Sequence, residues 1–116
     1  MIRFFNENIR LNLKNKKAIK ACIQDTFARY GIAKFDVNYI FTDDESVLRI
    51  NRDFLHHDYY TDIITFNNSA EPTKLESDIF ISIDRVKDNA LSLKTPFEDE
   101  LHRVIFHGIL HLCGHG

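Results

Sequence analysis

The sequence predicts an α+β domain: one mixed sheet of about four strands with helices packed over it, and two histidines on a buried C-terminal helix. Three observations predict it. Alternating and helical patterns follow one another in the order strand, helix, strand, helix, strand, strand, helix, helix. No repeat, low-complexity tract or linker interrupts 1–116, so the chain reads as one domain large enough for a real core. The last helical pattern is apolar around most of its circumference, as a buried helix is.

Taken in order, Ile2 to Phe5 is a short β-prone run. Asn6-Glu7-Asn8 turns the chain, and Ile9 to Leu13 reads as a further short strand. Asn12 or Asn15 is placed to cap a helix from Lys16 to Tyr30, where Ile19, Cys22, Ile23, Phe27 and Tyr30 keep helical spacing and Gly31 stops it. Phe35 to Phe41 alternates Val37, Tyr39 and Phe41 against Asp36, Asn38 and Ile40, a strand. Thr42 and Glu45 have capping-box spacing for a helix through Val47, Leu48, Ile50 and Phe54 to about Leu55. A polar, aromatic loop follows, His56-His57-Asp58-Tyr59-Tyr60. Asp62 to Phe66 is a strand whose consecutive Ile63 and Ile64 indicate burial on both faces. Asn67 to Lys74 is a polar loop. Asp78 to Ile83 is a strand, and Asp84 caps a short helix through Val86, Ala90, Leu91 and Leu93. The last helix begins with Thr95 as N-cap, Pro96 at the first turn and Glu98 completing a capping box. Leu101, Val104, Ile105, Ile109 and Leu112 carry its apolar period, and Gly114 ends it.

Composition narrows the function classes. An apolar fraction of 44% with ten Phe fits a folded globule, and a net charge of −2 excludes a globally basic nucleic-acid binder. The one basic cluster, Lys14, Lys16, Lys17 and Lys20, reads as a solvated helix start. Cys22 and Cys113 sit within apolar helical patterns and read as reduced core thiols, not a disulfide scaffold. The opening MIRFFNENIR has early charges and no long apolar run. That argues against a signal peptide or membrane span and for the cytoplasm.

The chemistry-bearing residues gather on the last helix. His107 and His111 are four apart, so both project from one narrow face. Arg103 and Glu100 lie one and two turns before them. Two neutral imidazoles at this spacing hold one divalent ion, zinc above all, or they are satisfied structural histidines. Gly108 removes a side chain beside His107 and permits a close approach by backbone or substrate. The protease pattern H-E-x-x-H needs a glutamate at that position, so a protease of that type is excluded. His56-His57-Asp58 offers a metal ligand, a general base or merely a solvated loop. Asp78 reads as structural, because an inward-facing carboxylate must be hydrogen-bonded.

Three stretches together resemble one family: Ile50-Asn51 through Tyr60-Thr61-Asp62-Ile63-Ile64-Thr65-Phe66, then Ser77-Asp78-Ile79, then His107-Gly108-Ile109-Leu110-His111-Leu112-Cys113-Gly114. From Phe41 onward the chain resembles the YbeY family, single-strand endoribonucleases and ribosomal-RNA maturation factors whose last stretch reads H-G-x-L-H-L-x-G-Y-D-H. The resemblance implies a zinc-dependent hydrolase acting on RNA phosphodiesters, with single-stranded and ribosomal RNA and the ribosome as partners. It implies His107 and His111 as the first two zinc ligands. The third family ligand would fall one residue beyond Gly116, so either the chain is truncated relative to the working protein or His115, where the family has Tyr, bends back as a substitute ligand. With two ligands, this chain is expected to fold but to hold zinc weakly. The family's Arg shortly after the Asn is Leu55 here, and Arg52, Arg85 and Arg103 are the candidates to replace it at the phosphate. Tyr59 and Tyr60 either stack on substrate bases or pack the loop. A second function stays open: a non-catalytic ribosome- or protein-binding domain with a degenerate structural metal site. A third is a metallohydrolase using the same histidine pair on a small substrate.

Overall fold

A computed structural model describes residues 1–114 of the chain. Its elements are β1 (Ile2–Asn6), α1 (Lys16–Arg29), β2 (Phe35–Thr42), α2 (Asp44–Leu55), β3 (Ile63–Asn67), β4 (Leu75–Ser82), α3 (Ile83–Leu93) and α4 (Phe97–Leu112). The strands form one mixed sheet in the order β1-β2-β4-β3. β1 and β4 run parallel to β2, and β3 lies antiparallel to β4 at the edge. The predicted class and element order are therefore the observed ones.

Alternation along the strands divides the molecule into two layers. Val37, Tyr39 and Phe41 on β2, with Ile79 and Ile81 on β4, face a core closed by Ile19, Ile23 and Phe27 of α1, Val86 of α3, and Leu101, Val104, Ile105 and Ile109 of α4. The other sheet face carries Ile64, Phe66 and Phe80, and α2 covers part of it. Phe54 of α2 meets Phe66 edge-on at 6.0 Å, and Phe66 meets Phe80 likewise. Tyr39, fully buried, donates its hydroxyl to the Ile105 carbonyl at 2.9 Å and so pins α4 against the central strand.

Local chemistry accounts for the boundaries, and several differ from the sequence reading. Ile9–Leu13 is not a strand. Asn8 turns at φ 62°, and the segment passes as a loop held by Asn6 Nδ2 donating to Leu11 O at 2.9 Å, with Leu13 buried in the core and Ile9 and Leu11 packed against it. Gly31 ends α1 as predicted: it sits at φ +74°, its N–H reaches Ala28 O, and the Ile32 N–H reaches Phe27 O at 2.9 Å. Thr42 does not cap α2, because β2 runs on through it and buries it completely. The cap is Asp43, whose Oδ1 accepts from Ser46 N at 2.8 Å. Ser82 rather than Asp84 caps α3, accepting from Arg85 N. β4 begins at Leu75, earlier than Asp78, because Leu75, Glu76 and Ser77 pair with Phe35, Asp36 and Val37 despite their mixed polarity. Pro96, not Thr95, stands at the N-cap of α4 without a side-chain cap bond, since the Thr95 amide closes α3 on Ala90 O. Gly114 follows α4 at φ +96°.

Candidate functional site on helix α4

The helix that carries the histidines is half-buried rather than enclosed. Leu101, Val104, Ile105, Gly108 and Ile109 face the sheet, while Arg103, His107, Leu110 and His111 face water. Gly108 explains how closely it lies. A Cβ there would come within 2.9 Å of Ile63 Cδ1 on β3 and 3.4 Å of Ile79 Cδ1 on β4. The missing side chain therefore serves helix-on-sheet packing, not the approach of a substrate. It also sets His107 beside the start of edge strand β3.

His107 and His111 stand one turn apart on the outer face, their Cβ atoms about 5–6 Å apart by helix geometry. Neither ring has a hydrogen bond or ion pair with any described residue. Their donor chemistry fits a zinc ion, of which they would supply two ligands. Among the described residues no group of three or more His, Cys, Asp or Glu side chains converges for a metal, so the His56-His57-Asp58 loop does not join them. His115 lies outside the described residues.

The three candidate arginines are placed very differently. Arg85 is spent: its Nη2 lies 2.6 Å from Asp44 Oδ2, its Nη1 3.1 Å from Asp88, and its guanidinium covers the Tyr60 ring. Arg52 is exposed and ion-paired with the still more exposed Asp58 in loop 56–62. Arg103 is one turn from His107 on the same face. Its Nε and Nη2 each donate to Glu100 at 2.7 Å, and Nη2 lies 3.7 Å from Asp62. The Glu100 side chain is only 2% exposed, whereas that of Arg103 is 54% exposed. The Arg103 guanidinium holds the Glu100 carboxyl below the usual glutamate range against the opposing effect of burial. The fork leaves Nη1 of Arg103 without a partner among the described residues. Among these three, it alone presents a fixed, available guanidinium edge beside the histidines.

Two residues shape the surroundings without having stood out as site residues. Asn51 is 1% exposed; its Nδ2 donates to Tyr59 O at 2.9 Å and its carbonyl accepts from His57 N at 3.0 Å. It thus staples loop 56–62 to α2. The available signal was its place on the buried period of α2 with Val47 and Leu48, a polar residue where an apolar one belongs. Asp62 ties the far end of the loop to Asn89 at 3.4 Å and to Arg103. Asp78 is structural as read: its oxygens accept from Asn38 and Asn68 at 3.1 and 3.2 Å. Leu55 lies exposed at the C-terminal end of α2. Cys113 is half-buried, with its thiol pushed up by burial, but Cys22 is exposed on α1 rather than in the core.

This is an α+β domain with a histidine pair and an anchored arginine on one exposed helix face, an arrangement suited to a metal-assisted hydrolase. The model of the family described as Endoribonuclease YbeY matches residues 1–116, and the chain belongs to that family. It is 50% identical over 114 residues to Endoribonuclease YbeY of Cytophaga hutchinsonii, covering 98% of this chain and 80% of that protein. It is 48% identical over 113 residues to Endoribonuclease YbeY of Parabacteroides distasonis, covering 97% of this chain and 79% of that protein. The solution structure of TM1509 from Thermotoga maritima superposes with a TM-score of 0.64 at 28% identity, covering 99% of this chain and 73% of that one. No helix among the described residues is long and apolar enough to cross a membrane.

Proposed function

We propose that this chain is a zinc-dependent endoribonuclease that cleaves single-stranded RNA during ribosomal RNA maturation. His107 and His111 are two of the metal ligands, and Arg103 holds the scissile phosphate. Family membership supports the reaction class. The observation that carries the residue roles is the exposed α4 face, where two imidazoles without a partner among the described residues follow one and two turns after an anchored guanidinium.

A zinc ion bound there would supply a water of lowered pKa and a Lewis-acid contact to a phosphoryl oxygen. The protein's own contribution is positional. Glu100 fixes the Arg103 fork, so the free Nη1 edge donates to a non-bridging phosphate oxygen without reorganising when negative charge grows there. Asp62 holds β3 and its preceding loop against the same helix, so substrate strand and histidines share one frame. Arg103 thereby takes the phosphate role that the family's Arg, here Leu55, does not provide.

Cleavage of a single-stranded ribosomal RNA fragment tests this. Activity should require added zinc, stop with chelator, and be lost in His111→Ala. Arg103→Lys keeps the charge but loses the fork, and should lower kcat by about 10- to 100-fold. Cleavage indifferent to chelator and to His111→Ala would overturn the metal role. An unchanged kcat in Arg103→Lys would overturn the arginine's.

A further inference from the structure

Loop 56–62 displays aromatic surface that no described residue covers. The His57 and Tyr59 rings stack with centroids 5.1 Å apart and planes 20° apart, and Tyr59 Oη lies 2.9 Å from His57 Nδ1. Tyr59 nevertheless remains 55% exposed, and the adjacent Tyr60 is 47% exposed. Scattered exposed apolar residues mean little, but two adjacent exposed rings on one loop offer a contact surface.

Both tyrosines have a bonded hydroxyl and one covered ring face, but the partners of Tyr60 belong to two helices rather than to the loop itself. Tyr60 donates its hydroxyl to Glu45 at 2.7 Å, and Arg85 lies over its ring at 5.3 Å. Its polar tip and one ring face are already used to join α2, the loop and α3. In Tyr59 the only ring partner among the described residues is His57.

The loop is also held rigidly in a useful place. His56 closes α2 at φ 57°, buried Asn51 bonds the loop backbone at both His57 and Tyr59, and Asp62 is tied to Arg103. Tyr59 is three residues from Asp62, so its Cα is at most about 11 Å from the residue that touches Arg103. A strand whose phosphate meets Arg103 has its neighbouring bases within reach of that ring.

We infer, resting on the endoribonuclease reading above, that Tyr59 backed by His57 is a stacking platform for one unpaired base of the RNA, and that Tyr60 is not. A ring face reads no base edge, so the subsite is tolerant of sequence. It selects against duplex, in which both faces of each base are already stacked.

The test uses a short single-stranded RNA carrying one 2-aminopurine, titrated into the chain with chelator present so that nothing is cut. Stacking on the native loop should quench the fluorophore. Tyr59→Leu should abolish the quench and weaken binding roughly 5- to 100-fold. Tyr59→Phe, which loses only the hydroxyl, should keep both, as should Tyr60→Leu, which removes the other ring. Far-UV circular dichroism confirms that each variant folds. Quenching and affinity unchanged in Tyr59→Leu would overturn the platform while leaving the nuclease reading intact. No binding and no zinc-dependent cleavage by the native chain would instead overturn the nuclease reading itself. Loss of quench in Tyr60→Leu but not Tyr59→Leu would overturn the assignment between the two tyrosines.

Discussion

Gly108→Ala probes the contact that seats the histidine helix on its sheet. The added Cβ would stand 2.9 Å from Ile63 Cδ1, about 0.6–1.1 Å inside the optimal carbon separation of roughly 3.5–4.0 Å. It cannot retreat toward β4, because Ile79 Cδ1 is 3.4 Å away on a fully buried side chain. Alanine would improve helix propensity by about 1 kcal/mol. Over-packing costs about 1–3 kcal/mol, at the lower end here because Ile63 Cδ1 is the tip of a half-buried side chain that can turn aside, so a net loss of at most about 1 kcal/mol is expected, a fall in Tm of up to roughly 4 °C. The discriminating variant is the double one. Ile63→Val removes the Cδ1 that collides and by itself costs about 0.5–1.5 kcal/mol. In the double variant the collision is gone and the propensity gain remains, so it should be at least as stable as Ile63→Val alone. Urea denaturation followed by circular dichroism measures all four proteins, and the coupling should be about 1–3 kcal/mol. Strict additivity, or Gly108→Ala more stable than the native chain, would refute the close-packing account.

Three further outcomes follow from particular groups. Thr42 Oγ1 is buried without a partner among the described residues, so Thr42→Val should stabilise the fold by about 1 kcal/mol in the same denaturation assay; a destabilised variant would mean that the hydroxyl has a partner. Tyr39→Phe removes the hydrogen bond to the Ile105 carbonyl and should cost about 1 kcal/mol, with far-UV spectrum unchanged. The Glu100 carboxyl is held below its ordinary value, chiefly by the Arg103 hydrogen bonds. Unfolded chains therefore bind more protons here, and this stabilisation is present above about pH 4.3 and lost as pH falls through the folded value. Urea midpoints measured from pH 6 downward should flatten in Glu100→Gln relative to the native chain, and an unchanged pH slope would contradict the assignment.

Much of the fold was legible because its signals are local. Alternation in β2, the apolar period of α1 and α4, and the glycine after α1 each specify their element within a few residues. The errors arose where tertiary pairing competes with local chemistry. Ile9–Leu13 looks like a strand, but no neighbouring strand pairs with it. Leu75-Glu76-Ser77 lacks a strand's composition and is one because β2 offers a matching edge. At the site, helix spacing alone put His107, His111 and Arg103 on one face. The choice among three arginines depended on pairings that local spacing does not specify: Asp62 for Arg103 and Asp44 for Arg85, both far away in sequence, and Asp58 in the following loop for Arg52.

His107, His111 and Arg103 all ride on α4, whereas Tyr59 hangs from a loop leading into edge strand β3. When the domain breathes, spacing within a single helix hardly changes, but the gap between helix and edge strand does. The two halves of the proposed site, joined through the Asp62–Arg103 contact, soften separately once that contact opens. On warming below the melting transition, grip on the RNA strand should loosen first, seen as a rising KM, while kcat continues to climb until α4 itself leaves the sheet.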